Sequence, residues 1–305
     1  MRSASRLSVG LDIGATKIHG VVVDDAGVIQ AEARAATQSG AEGVLASAVG
    51  VVDELRDAVD LHITGTVGVG IPGLVDTERG TVSFAVNLDI AGPVLLAQLL
   101  SERLGLPVAI ENDLNAATLG AWHASGVDDL AYLSFGTGLA AGLVLDGKLR
   151  RGIHAAAGEI GHIPVDPAGE LCHCGQRGCL ETIASGSALT RMWPSSDAHP
   201  VESLFAAAEA GDEKAVAVRD RFVGGAADAV RLVALAVDPA TIILGGGVAH
   251  IGEPFLAGVA EALRASAAAS DFLASLRLPE RLRLVPTDLP VAALGAAMVG
   301  RRAAP

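Results

Sequence analysis

Four stretches of this chain carry the residue types that phosphate, proton and metal chemistry need. The first, Asp12-Ile13-Gly14-Ala15-Thr16-Lys17, ends an apolar run that starts at Leu7. A glycine there lets backbone N–H groups approach phosphate oxygens, Thr16 and Lys17 add donors, and Asp12 can reach the shell of a magnesium ion. The same residues also suit an ordinary hairpin turn, where Gly and Asp are favoured for conformational reasons alone. A second stretch, Ser134-Phe135-Gly136-Thr137-Gly138, repeats the layout: Gly142 matches Gly20, Asp146 matches Asp24 and Gly147 matches Gly27. Two such turns suit the two sides of one nucleotide, and the repetition predicts two related domains. Gly245-Gly246-Gly247 follows another apolar strand and either brings backbone close to an adenosine or phosphate or is a plain strand-to-helix turn.

The third stretch, Glu111-Asn112-Asp113, stands at the end of the apolar segment 108–110. Strand ends are where open α/β sheets place ligands. A carboxylate at Asp113 can accept the proton of an attacking hydroxyl while Asn112 orients the acceptor. Asn and Asp are also favoured helix caps, so one of the pair can cap while the other works.

The fourth stretch joins Gly158-Glu159-Ile160-Gly161-His162 to Cys172-His173-Cys174 and Gly178-Cys179. Three thiolates and the His162 imidazole complete a tetrahedral shell with no open position, which predicts a structural zinc and not a catalytic one. The competing description is three free thiols packed as small apolar groups. His173, wedged between Cys172 and Cys174, is disfavoured as fourth ligand, and His154 and His199 are taken as surface or packing residues. A metal-bound imidazole keeps its second nitrogen for an outer partner such as a substrate hydroxyl, with Glu159 and Glu181 flanking. Those two glutamates are equally at home on an ordinary surface.

Elements must hold these groups. Residues 7–13 and 18–23 are predicted strands around the first glycine turn, and apolar spacing from Val44 to Val59 predicts a helix. A strand at 66–71, a helix at 114–124, a helical stretch including 222–237 and a strand at 241–244 follow. A last apolar segment, 291–299, reads as a helix packed on the first domain. Half of the 305 residues are apolar but only 3% aromatic, so burial rests on Ala, Val, Leu and Ile in α/β layers. The formal charge of -13, without a basic face, argues against a nucleic-acid partner. Arg6 and Asp12 interrupt any signal-peptide core, and no apolar stretch approaches the ~20 residues of a membrane span. All three cysteines lie between positions 172 and 179, which reads as a metal site more than a disulfide framework, and a cytoplasmic location is expected.

With LDIGATK, GVGIPGLVD, Glu111-Asn112-Asp113, SFGTG, GEIGH and CHCGQRGCLE on the page, the chain closely resembles the ROK family of bacterial sugar kinases and sugar-responsive repressors from about residue 7 onward. The resemblance implies an actin-like (ribonuclease H-like), duplicated two-domain ATPase fold with an inter-domain cleft. It implies domains at 1–113 plus a C-terminal helix at about 291–305, and at 114–290 with the zinc loop. It makes Asp113 the catalytic base and Asn87, Asn112, Asp113, Glu159, His162 and Glu181 the sugar contacts. The zinc ligands become His162, Cys172, Cys174 and Cys179, and the ATP-binding segments include Asp12, Gly14, Thr16, Lys17, Gly136, Thr137, Gly138, Gly245, Gly246 and Gly247. Family kinases act on glucose, fructose, mannose or N-acetylated hexosamines, usually as dimers or tetramers that close over the sugar.

The expectation is thus an ATP-dependent glucokinase acting on the 6-hydroxyl with Mg²⁺. The alternatives are another hexose, polyphosphate as donor, or a sugar sensor without catalysis. A family repressor would carry a winged helix ahead of the first strand, where only about six residues stand. Ala15 replaces a usual glycine of the phosphate turn, and Leu88-Asp89-Ile90 lacks the tryptophan often found after Asn87.

Overall fold

The structure, a computed structural model, describes residues 7–59, 65–195, 197 and 199–302. The six residues ahead of the first strand, and 303–305 of the expected C-terminal helix, lie outside them. The chain divides into two compact units, 1–126 with 289–305 and 127–288. No helix among the described residues is long and apolar enough to cross a membrane.

In the first unit β1 (Ser8–Ile13), β2 (Lys17–Val23), β3 (Ile29–Ala36), β4 (Val67–Ile71) and β7 (Val108–Asn112) form one sheet, and β5 (Leu74–Asp76) and β6 (Thr81–Ser83) form a separate ribbon. The sheet order is β3-β2-β1-β4-β7, antiparallel through β1, β2 and β3 and parallel through β1, β4 and β7. The central strands read SVGLDI and VGVGI because both faces are covered, which favours continuous apolar runs over alternation. Helix α1 (Gly40–Ala58) buries Val44, Leu45, Ala48, Val51, Val52 and Leu55 at the spacing of one helical face. Helices α2 (Leu96–Leu104) and α3 (Asp113–Ser125) follow.

The C-terminal helix Val291–Arg302 lies against β1, β4 and α3. That approach is closer than side chains allow. A Cβ on Gly120 would stand 1.8 Å from the Val291 carbonyl oxygen, and one on Gly295 would stand 1.7 Å from that of Ala116. Arg301 fastens the far end by donating to the carbonyls of Val23 and Asp24. Because α3 is held in this way, the first unit runs to Gly126, where the sequence reading divided the chain after Asp113.

The second unit repeats the sheet. Strands β8 (Leu130–Phe135), β9 (Leu139–Leu145), β10 (Lys148–Leu149), β11 (Thr241–Gly245) and β12 (Leu282–Leu284) stand in the order β10-β9-β8-β11-β12. Helices α4 (Gly186–Met192), α5 (Pro200–Glu209), α6 (Glu213–Val237), α7 (Glu253–Ala267), α8 (Asp271–Ser275) and α9 (Leu278–Arg281) complete it, and α10 is the C-terminal helix of the first unit. Phe135, Phe222 and Phe255 anchor the core with ring centroids 5.3 to 6.3 Å apart. Such pairs contribute about 0.5–1.5 kcal/mol each beyond the area they bury. Phe135 is the residue ahead of the second glycine turn, so the turn starts from a fully buried aromatic anchor.

Candidate functional site

The first unit gathers charged groups at the carboxyl ends of its parallel strands. Asp12 pairs with Gly70 across β1 and β4, and Gly70 pairs with Glu111 across β4 and β7. Gly70 is the gap between them: a Cβ there would meet Ala116 Cβ at 2.9 Å and Asp113 Cα at 3.7 Å. Asn112 caps α3, its Oδ1 accepting the N–H of Leu114 at 3.0 Å and of Asn115 at 3.4 Å. Asp113, one residue on, accepts the Leu114 N–H at 2.9 Å. Buried Glu111 accepts from Asn112 N–H and Asn115 Nδ2, which fixes the strand-to-helix corner.

Burial raises the Asp113 carboxyl above its usual range against the hydrogen bonds it accepts, the Leu114 N–H first among them. Asp12 is pushed up to about 6 by burial and then by the negative charge of Asp113, with Lys17 pulling the other way. Two carboxylates short of positive charge are a setting that a divalent cation relieves, and the Asp12 environment fits magnesium on that ground. The turn between β1 and β2 closes as Gly14 N–H donates to the Lys17 carbonyl at 2.9 Å, leaving Ala15, Thr16 and Lys17 exposed. Asn87 is exposed in a one-turn 3₁₀ helix, Val86–Leu88, with Leu88 and Ile90 buried beside it.

In the second unit His162, Cys172, Cys174 and Cys179 bring their ligand atoms within 4.8 Å of one another. Cys174 and Cys179 Sγ are 3.6 Å apart, and Cys172 Sγ is 3.7 Å from His162 Nδ1. Zn–S bonds of about 2.3 Å at tetrahedral angles put neighbouring sulfurs about 3.8 Å apart, so the donor set fits zinc. Burial, and after it the neighbouring Cys174 and Cys172 thiols, pushes the Cys179 thiol up to about 12, whereas the Gln176 amide brings Cys174 down to about 6. A bound cation removes that conflict among crowded sulfurs. His173 stands outside this set and lies 3.3 Å from Glu181.

Glu181 ties the cysteine loop to the second glycine turn. Its Oε2 accepts the Leu139 N–H at 2.9 Å, and a Cβ on Gly138 would come within 2.5 Å of that oxygen. Glu159 stands exposed at the head of the turn Ile160–His162. The three late glycines part company: Gly245 is bare because Tyr132 lies over it, and Gly246, at φ +80°, backs onto Phe135. Gly247 faces open space and lines a depression of about 820 Å³ with Gly136, Thr137, Gly186, Ser187, Thr190 and Arg191. The last four escaped the sequence reading. Ser185, which caps α4 by accepting the Ala188 N–H, is the local signal that marks where they begin.

The ROK family model matches residues 8–276. A glucokinase from Thermotoga maritima is 34% identical over 80% of this chain and 83% of its own length. An N-acetylmannosamine kinase from Yersinia pseudotuberculosis is 34% identical over 79% of this chain and 82% of its own. The crystal structure of a ROK family glucokinase from Streptomyces griseus in complex with glucose and AMPPNP is similar at TM-score 0.78 and 33% identity, covering 97% of this chain and 99% of that one. With the duplicated sheet and these relatives, the chain belongs to the ROK family and has its actin-like, two-domain ATPase fold.

Proposed function

We propose that this ROK-family sugar kinase is an ATP-dependent glucokinase in which Asp113 is the general base. The observation that carries the reading is the place of Asp113: first residue of α3, beside a capping Asn112, with its carboxyl raised by burial near Asp12. A base in that state accepts a proton readily, while a fully solvated aspartate is a poor match for neutral pH.

In the proposed reaction Asp113 takes the proton of the sugar 6-hydroxyl as that oxygen attacks the γ-phosphorus, and the bond from phosphorus to the ADP oxygen breaks. Lys17, Thr16 and the backbone amides of the two glycine turns hold the developing charge. Magnesium, when bound with the nucleotide, supplies positive charge to the phosphates, and Asp12 is the side chain that would face it. Asn87, Asn112, Glu159, His162 and Glu181 are assigned to the sugar. His162, Cys172, Cys174 and Cys179 are assigned to a zinc ion that braces Glu181. Gly136, Thr137 and Gly247 are assigned to the nucleotide, supported by the depression they share. The dimer or tetramer expected from the resemblance belongs to the same reading.

Glucose is favoured by the glucokinase relatives, and the N-acetylmannosamine kinase relative sets the rival acceptor. Coupled ADP release across glucose, fructose, mannose, N-acetylglucosamine and N-acetylmannosamine, with polyphosphate as a second donor, tests both. Highest kcat/KM on glucose with ATP is the expected outcome. Sugar binding with ATP left intact would make the protein a sensor.

A further inference from the structure

The cysteine cluster is lopsided in access. Cys172 and Cys179 are buried while Cys174 is exposed, so an oxidant from solution meets Cys174 first. Cys179 Sγ stands 3.6 Å from it, and a disulfide needs about 2.05 Å. The loop between them lets one end move. Gly175, at φ +91°, has no neighbour within 4 Å of a would-be Cβ. Gly178 is clamped, its would-be Cβ only 1.6 Å from the Asp166 carbonyl oxygen. The open space for closing the gap is therefore on the Cys174 side, while Cys179 follows a clamped glycine. The Gln176 amide lies 3.5 Å from Cys174 Sγ and 3.9 Å from Cys179 Sγ, spanning the pair. Cys172 is the poorer partner: its sulfur sits against His162 Nδ1, and one intervening residue gives a cramped ring.

We propose that Cys174 and Cys179 form a peroxide-responsive dithiol whose closure opens the metal cluster. The Cys174 thiolate attacks one oxygen of a hydroperoxide, the O–O bond breaks, and the leaving oxygen takes a proton, giving water when the oxidant is hydrogen peroxide. The sulfenic acid on Cys174 is then attacked by the Cys179 sulfur. An S–S bond forms, the S–O bond breaks, and a second water leaves with a proton. Two thiols lose two electrons, and the peroxide gains them. A shell of four donors then keeps only Cys172 and His162 as free ligands, too few for a structural zinc. The change reaches the glycine turn through Glu181, two residues beyond Cys179 and bonded to the Leu139 N–H. A reductant reverses it.

The test uses the zinc-loaded full chain treated with a tenfold excess of hydrogen peroxide, alkylated and mapped as peptides, with released zinc followed by a chromogenic chelator. One crosslink between 174 and 179, zinc release in step with it, and recovery with dithiothreitol are expected. Cys172→Ser should still form the crosslink, and Cys174→Ser should lose it. If either variant fails to fold, the wild-type map decides. A crosslink involving Cys172, sulfinic acid without a crosslink, or zinc release with all thiols still reduced would each overturn the proposal. None of these readouts involves sugar turnover, so the result stands apart from the kinase assignment.

Discussion

The hairpin β1–β2 and the hairpin β8–β9 open their sheets alike, yet their turns are held by different means. In the first, paired residues end at Ile13 and Ile18, and Gly14 closes onto Lys17. In the second they end at Phe135 and Leu139, and Gly136 closes onto Gly138. Ser134 takes the place of Asp12, and no lysine follows. The first turn carries formal charge on a sheet sealed by the C-terminal helix. The second carries none and is positioned from outside by Glu181 at the edge of the cysteine loop. Duplication has kept the scaffold and divided the work, with charge in one copy and bracing in the other.

The sharpest way to break that division is to neutralise the charged copy. Asp113→Asn should lower turnover by roughly 10²- to 10⁴-fold with sugar affinity largely kept, measured by coupled ADP release and calorimetry. Turnover near wild type would rule out Asp113 as the base.

Next comes the seal. Gly120→Ala puts a methyl 1.8 Å from a backbone oxygen that cannot move without parting two helices, so a loss of about 1–3 kcal/mol or more is expected in denaturant unfolding. The same substitution at Gly136, whose would-be Cβ has only Ser134 Oγ at 3.8 Å, should leave stability within about 0.5 kcal/mol.

For the braced copy, Gly138→Ala must displace the Glu181 carboxylate and should weaken kcat/KM by roughly tenfold to a hundredfold. An effect no larger than that of Gly136→Ala would show that the bracing is idle.

The smallest effect concerns Asp12. Its carboxyl, raised to about 6, holds a proton in the folded unit that the unfolded chain has already released, so stability falls as pH rises from about 4 to about 6. Asp12→Asn removes that loss. Without magnesium or nucleotide, the variant should melt higher than wild type by about 2–4 °C at pH 7, with the gap closing toward pH 4. A constant gap would mean that Asp12 is not the titrating group.

What the sequence revealed follows the range of the interactions involved. Strand pairs, α1 and the cysteine knuckle were legible because their signals are local: apolar period, turn glycines and ligand spacing. Ser185, Gly186 and Ser187 went unread because only the fold brings them beside Gly136. The glycine triplet looked uniform, yet packing against Tyr132 and Phe135 accounts for two of its members and leaves Gly247 open. The domain division was read early for a similar reason. Nothing within 113–125 announces that Gly120 is bare for a helix that begins at Val291.

That late helix has a consequence for synthesis on the ribosome. The sheet bearing Asp12, and α3 with Asp113 at its start, emerge first but lack their cover until residues 291–302 are made, after the whole second unit. At roughly 5–20 residues per second the delay is about 10–30 s. During it the nascent first unit exposes the bare glycine faces of β1, β4 and α3, while the inserted unit is free to finish folding ahead of it.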